Sequence, residues 1–419
     1  MSKKIKKKVP ELRFSEFKED WQSKTLEELA EWSSGGTPSK EKLDYWNGDI
    51  PWISASSMYY DILFDSDQKI TELGLENGSR LATKGSILIL VRGSILYNRI
   101  PMGITGRDLA FNQDVKCLKI QNKRELFFLF YWLKANENLL KSLVSGTGIG
   151  AGKLDTSQLK ALILFKPFIE EQEKIASFLG AVDRRLTQLR RKQELLQTYK
   201  RGVMQKIFSQ EIRFKGAIGS EFPDWEEMTL GEITKKIGSG ATPRGGEDNY
   251  QESGISLFRS MNIYDNRFQE ENLAFIDENQ ARELNNVTVE NDDILLNITG
   301  ASIARCCIAP VKYLPARVNQ HVMIIRPKNN KLNSVFLSNL LVFEDYKNQL
   351  FKLGGKGGST REALTKFHIQ NFQVILPSIK EQERIANFLT AIDRKIETLY
   401  RQIDQTEKFK KGLLQKLFV

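Results

Sequence analysis

Polar, small and basic residues gather in a few loops of this 419-residue chain. The first half carries Ser33-Ser-Gly-Gly-Thr-Pro-Ser-Lys40, Arg92-Gly-Ser94, Tyr97-Asn98-Arg99 and Gly146 to Lys153. The second half carries Gly238-Ser-Gly-Ala-Thr-Pro-Arg244, Arg259-Ser-Met-Asn262, Asn297-Ile-Thr-Gly300, Arg305 and Lys356-Gly-Gly-Ser-Thr-Arg361. Arginine, lysine, asparagine and glutamine reach base edges, whereas serine, threonine and backbone amides hold phosphates. Ordinary surface turns share this composition. Related loops in both halves favour nucleic acid. The candidate contacts are Thr37, Ser39, Lys40, Arg92, Ser94, Tyr97, Asn98, Arg99 and Lys153, then Thr242, Arg244, Arg259, Asn262, Asn297, Thr299, Arg305, Lys356 and Arg361.

Catalytic chemistry finds little here. Gly146-Thr-Gly-Ile-Gly-Ala-Gly-Lys-Leu154 imitates a phosphate loop, but Thr147 stands at the first glycine and Leu154 where a magnesium-binding hydroxyl is needed. A helical stretch precedes it, so it is not a dinucleotide fingerprint. No Asn/Asp-Pro-Pro-Tyr/Phe tetrad and no nuclease-like carboxylate–lysine pattern stands out. Two histidines, His321 and His368, and three cysteines, Cys117, Cys306 and Cys307, give no ligand set at zinc spacing. The cysteines read as reduced thiols of a cytoplasmic protein. The net charge of +10 suits a polyanionic partner. No run of about eighteen apolar residues suggests a membrane span.

The loops must be positioned by something, and the chain repeats itself. Pro167-Phe-Ile-Glu-Glu-Gln-Glu-Lys-Ile-Ala-Ser-Phe-Leu-Gly-Ala-Val-Asp183 returns 210 residues later as Pro377-Ser-Ile-Lys-Glu-Gln-Glu-Arg-Ile-Ala-Asn-Phe-Leu-Thr-Ala-Ile-Asp393. The match runs without a gap to Phe208/Phe418. Looser anchors precede it: Leu12-Arg13-Phe14/Ile212-Arg213-Phe214, Trp21/Trp225, Thr37-Pro38/Thr242-Pro243, Ile87-Leu88/Ile294-Leu295 and Asn112-Gln113/Asn319-Gln320. This is the mark of a shared scaffold carrying two divergent readers.

After each proline the apolar residues follow three-four spacing. Ile175, Val182, Leu189, Leu196 and Val203 stand seven apart, the seam of a coiled coil. Each helix would span roughly 55–60 Å at about 1.5 Å per residue, with Gly202 and Gly412 weakening it near its end. The expectation is that the two helices pack antiparallel on each other. Repeat symmetry then places the N-terminus beside the end of the second helix, with globular domains at opposite ends of a rod. The alternative is that each seam packs on its own domain. Between the helices, strand patterns at Gly48–Ser54, Lys84–Val91, Asn291–Ile298 and Val322–Ile325, with helical stretches at Leu126–Leu143 and Val335–Phe351, read as α+β.

The segments Glu171-Gln-Glu-Lys-Ile-Ala176 and Glu381-Gln-Glu-Arg-Ile-Ala386 resemble the conserved regions of the specificity subunit of type I restriction–modification systems. The order Trp21, Gly36-Thr37-Pro38, Ile50-Pro51-Trp52-Ile53, Asn112-Gln113 is similar to a target-recognition domain of that family. The second copy departs from it at Ala241 and at Gly254-Ile255-Ser256-Leu257-Phe258, which weakens any transfer of base-contact roles between copies.

The resemblance covers nearly the whole chain. The lysine-rich N-terminus reads as a disordered basic arm over 1–10, and the repeat divides the rest into recognition domains over 11–166 and 211–376 and spacer helices over 167–210 and 377–419, related by a pseudo-twofold axis. The resemblance implies a subunit that does no chemistry, reads a bipartite asymmetric site on double-stranded DNA, and positions two methyltransferase and two motor–nuclease subunits. S-adenosylmethionine, ATP and magnesium would bind those partners, none of them this chain. The competing readings are a self-contained DNA-modifying enzyme and a scaffold that binds no DNA.

Overall fold

The computed structural model describes residues 9–146, 150–216, 219–243, 246–355 and 363–419. The chain divides into two compact units, one of residues 1–191 with 401–419 and one of residues 192–400. Both long helices therefore contribute to both units, rather than standing apart as separate spacer segments. Pro10 is buried and Val9 packs against the first unit's core, so the expected N-terminal arm loses its last two residues to the fold. Residues 1–8 lie outside the described set.

The first unit is built on a five-stranded sheet. Its strands are β1 (Ala30–Ser34), β2 (Ile62–Leu63), β3 (Ile87–Leu90), β4 (Met102–Thr105) and β5 (Val115–Ile120), in the spatial order β1-β5-β3-β4-β2. Every residue of the central β3 is buried, as an unbroken Ile-Leu-Ile-Leu run requires. In a second sheet Trp46–Ile53 runs parallel to Leu109–Phe111. The helix Leu126–Ala135 is apolar nearly all round and buried accordingly.

The second unit repeats the plan. Its main sheet holds β6 (Thr234–Ser239), β7 (Ile294–Asn297), β8 (Cys306–Ile308) and β9 (Val322–Pro327), in the order β6-β9-β7-β8. Ile255–Phe258 runs parallel to Ala316–Val318 beside it. Each domain is closed by one two-stranded antiparallel pair joining its ends, Gln22–Thr25 with Ile163–Lys166 and Glu226–Thr229 with Gln373–Leu376. The α+β reading holds, and the loosely matching anchors mark one topology used twice.

The long helices are α1 (Ile169–Phe208) and α2 (Ile379–Leu417). Gly202 and Gly412 interrupt neither. Within the first unit Lys410 pairs with Asp183 at 2.5 Å and Arg190 with Glu407 at 2.6 Å. Within the second, Lys200 pairs with Asp393 at 2.7 Å and Gln197 donates to the Tyr400 hydroxyl at 3.0 Å. One partner's number falls as the other's rises, so the helices run antiparallel in each unit. Lys200–Asp393 and Lys410–Asp183 are the same repeat positions with roles exchanged.

The seam does two jobs. Ile175, Leu179 and Val182 join the first domain's core with Phe128 and Leu129, and so do Leu413, Leu417 and Phe418 from the far end of α2. Met204, Ile207 and Phe208 likewise enter the second domain's core beside Phe336. The two packings expected as alternatives, helix on helix and helix on domain, coexist.

Candidate nucleic-acid interface

Strand direction decides what meets at one end of the first sheet. β3 runs out into Arg92. β4 and β5 are antiparallel to it, so the residues just before them, Arg99 and Gln113-Asp114, stand at that same end. β1, antiparallel to β5, finishes there at Ser34, and β2, parallel to β4, begins there after Tyr59-Tyr60. The row therefore reads Ser34, Gln113, Arg92, Arg99, Tyr59. Strands lie about 4.8 Å apart, which makes it roughly 20 Å long.

Backbone contacts hold this end in shape. The Gly36 amide donates to the Phe111 carbonyl at 3.0 Å, and the Val91 amide to the Asp114 carbonyl at 2.8 Å. A Cβ on Gly35 would come within 2.0 Å of the Phe111 oxygen, so the loop before Thr37-Pro38 needs glycine there. Buried Asn112 caps its own turn by accepting from the Asp114 amide at 3.1 Å. Thr37 then donates to Gln113 Oε1, tying the loop to the turn.

Charge concentrates on this face. Arg92 lies opposite Lys153 in a small sheet completed by Val144–Gly146. Arg92, Ser94, Tyr97, Asn98 and Lys153 are exposed, as are Ser39 and Lys40 on the neighbouring loop. Lys116 donates to Ser34 Oγ at 2.5 Å. Burial, with the Arg92 charge adding to it, holds Lys116 below the usual lysine range against the opposing pull of Asp114.

The second unit builds the same row, keeping the threonine–glutamine pair and changing the side chains beside it. Thr242 follows β6, Gln320-His321 precede β9, Thr299 follows β7, Arg305 precedes β8, and Tyr264 stands beside β8. A Cβ on Gly240 would meet the Val318 oxygen at 1.7 Å, repeating the glycine requirement. Thr242 donates to Gln320 Oε1, Gln320 Nε2 donates to His321 Nε2 at 3.0 Å, and His321 Nδ1 donates to Thr299 Oγ1 at 2.7 Å. Four side chains thus form one hydrogen-bonded chain across three strands.

Several residues expected at the interface belong to the fold instead. Asn262 and Asn297 are fully buried: Asn262 caps the turn after Arg259, and Asn297 donates to the Ser260 carbonyl at 2.9 Å. Polarity at a strand end had suggested loop positions, but the turn at Ser260 covers Asn297. Arg259 is bound to Glu247 at 2.7 Å and to the Asn272 carbonyl at 2.7 Å, over the Tyr250 ring. Arg99 is half-buried, donating to the Met58 carbonyl at 3.0 Å and lying over the Tyr59 ring. Arg244, Lys356 and Arg361 lie outside the described residues.

Sequence reasoning missed Gln113, Lys116, Gln320, His321, Tyr59, Tyr264 and Arg267. The Asn-Gln pairs were visible as repeat anchors, and that repetition was the available signal for both glutamines. The tyrosines and Lys116 gave none, because only strand order brings them to the row.

Among the described residues no group of three or more His, Cys, Asp or Glu side chains is arranged to hold a metal. Burial pushes the Cys306 thiol up to about 12 and raises Cys307 and Cys117 as well, so none is a ready nucleophile near neutral pH. Among the described residues no helix is long and apolar enough to cross a membrane.

Comparison with known proteins agrees with this picture. Residues 18–197 and 223–408 match the type I restriction modification DNA specificity domain, one match per repeat. The type I restriction enzyme MjaVIII specificity subunit of Methanocaldococcus jannaschii is 26% identical over 407 residues, spanning 95% of this chain and 92% of that one. The EcoR124I/EcoR124II specificity subunit of Escherichia coli is 32% identical over 174 residues, 41% of this chain and 43% of its own length. The S subunit of a type I system from M. genitalium shares the fold with a TM-score of 0.61 at 19% identity, covering 98% of this chain and 99% of that one.

Proposed function

The chain belongs to the type I restriction modification DNA specificity family, and we propose that each of its two sheet-end rows reads one half of a bipartite DNA target. The observation that carries this is the repetition of the row on one topology with divergent side chains. Both rows carry the same threonine–glutamine pair, Thr37–Gln113 and Thr242–Gln320, and differ beside it, with Arg92, Asn98 and Lys153 in one and His321, Thr299 and Arg305 in the other. A constant frame fits docking on a constant backbone, and variable side chains fit two different base sequences. Thr37, Ser39, Lys40, Ser94 and Tyr97 extend the first face toward phosphates.

The chain would position chemistry carried out elsewhere. Two methyltransferase subunits would bring S-adenosylmethionine, and two motor–nuclease subunits ATP and magnesium, in the cytoplasm. The spacer helices would fix the gap between half-sites.

Two measurements test this. With labelled S-adenosylmethionine, the purified chain alone should transfer no methyl group to DNA, and adding the methyltransferase subunits should start transfer. A library randomised at each half-site, methylated by that complex, should show Arg92→Ala relaxing the first half alone. A good bidentate contact is worth about 1–3 kcal/mol of discrimination. Methyl transfer by the chain alone would favour the self-contained enzyme.

A further inference from the structure

We propose that Tyr264, Arg267 and Arg305 form a seat for one phosphodiester group of the strand flanking the second half-site; this rests on the DNA-reading function above. The Tyr264 ring carries two guanidinium groups, Arg267 at 5.1 Å and Arg305 at 5.0 Å from its centroid. Neither arginine is paired with a carboxylate among the described residues. Asp265, the acid between Tyr264 and Arg267 in their hairpin, is taken by Lys347. Two cations thus lie against one aromatic ring with no carboxylate paired to either among the described residues, an arrangement that an incoming anion relieves.

The hairpin that presents Tyr264 and Arg267, beside Arg305 at the start of β8, is pinned. Its turn residue Asn266 has φ 53°, its amide donates to the Cys306 carbonyl at 2.8 Å, and its side chain bonds Asn339 at 3.0 Å and Ser338 at 2.6 Å. The seat is therefore held by the sheet edge and a core helix.

Its place in the row selects the ligand. Three steps between strands, from β6 to β8, span about 14 Å, and the major groove of B-DNA is about 12 Å wide. With Thr242, His321 and Thr299 facing the groove, the far end of the row lies over the sugar–phosphate strand that borders it. A phosphate takes charge-assisted bonds from two guanidinium edges while the ring holds their faces. At the matching end of the first sheet the described residues place one arginine, Arg99, over Tyr59, with one of its nitrogens already spent on the Met58 carbonyl. The seat is thus a feature of the second reader.

The test uses the chain reconstituted with its methyltransferase subunits. Binding is measured between low and moderate salt on a duplex with both half-sites and on duplexes randomised in the second. Arg267→Gln and Arg305→Gln should each weaken all duplexes alike, and the double variant, which empties the seat of its one phosphate, should lower the slope of log affinity against log salt by about 0.9. Preferred bases should not change. Arg267→Lys and Arg305→Lys, which keep the charge, should keep the slope and so separate phosphate binding from misfolding. A changed base preference in the second half-site would overturn the seat in favour of base reading. Unchanged DNA binding would overturn it too, and loss of the methyltransferase subunits in that case would assign the arginines to an acidic protein surface. If the wild-type complex showed no salt-dependent DNA binding, the DNA-reading function itself would fail along with the seat.

Discussion

Arg13 and Arg213 occupy matching places in the two repeats and meet the same partner. Arg13 grips Glu171 through two bonds of 2.8 Å, and Arg213 grips Glu381 at 3.3 and 2.9 Å. Both glutamates are buried, Glu381 completely. Removing the arginine leaves a carboxylate in the interior with no counter-charge. Arg13→Ala or Arg213→Ala should therefore cost about 3 kcal/mol of stability, the usual loss when one member of a buried pair goes. Chemical denaturation of each variant measures it, and a loss below about 1 kcal/mol would mean water reaches the glutamate. Asn297 carries the opposite expectation to Arg92. Fully buried and bonded to Ser260, it should lower stability when changed to alanine and leave base preference alone, read by the same denaturation and library measurements. The contrast shows what residue types alone convey. Arg92, Asn98 and Lys153 were legible as surface candidates because they sit in polar turns. Asn297 and Asn262 look the same in sequence, and only folding turns them inward, Asn297 onto Ser260 far along the chain and Asn262 onto the returning strand at Gln269 and Glu271.

At the scale of elements, the helices were the clearest part of the sequence, since a seven-residue apolar period sustained from Ile175 to Val203 suits a long helical seam and little else. What the period could not reveal is that the seam divides its partners. Ile175 and Leu179 serve a domain core, while Leu186 and Leu189 are also buried further along the helix. Apolar spacing is the same whether the facing surface is a helix or a sheet. The sheets were legible as strands but not as a row, because antiparallel and parallel pairings depend on contacts that no local pattern encodes. The seam also makes a prediction about length. Seven residues inserted between Arg191 and Lys192, and seven between Tyr400 and Arg401, preserve its phase to about 20°. Such a protein should fold and methylate a target whose half-sites are unchanged and whose gap is longer. An inserted pair of residues at each point turns the following seam by about 200° and should abolish folding. Sequencing of methylated sites distinguishes the cases, and altered half-sites with an unaltered gap would reject the spacer role.

At the scale of the whole molecule, the repeat extends to the way the chain ends. The Ile212 amide donates to the Lys206 carbonyl at 3.0 Å, just after α1, and the Leu12 amide donates to the Lys416 carbonyl at 2.9 Å, in the last turn of α2. Phe14 and Phe214 then stack edge-on against Phe178 and Phe388. The junction after α1 is covalent, and its counterpart after α2 is made by hydrogen bonds. A permuted chain should therefore fold when it is opened between Gln210 and Glu211 and joined from Phe418 to Glu11. The linker is dictated by the intact copy, where Ser209-Gln210-Glu211 bridges Phe208 to Ile212 with Gln210 at φ 61°. Joining Val419 directly to Pro10 keeps the same count but puts proline, fixed near −65°, where a positive φ is needed. Replacing those two residues by Ser-Gln, or by Ser-Gly, removes the conflict. Thermal denaturation should show the Ser-Gln permutant within a few degrees of the original chain and the proline-joined one clearly lower. Equal and severe loss in both would mean that the contacts between Leu12 and Lys416 do not set the junction.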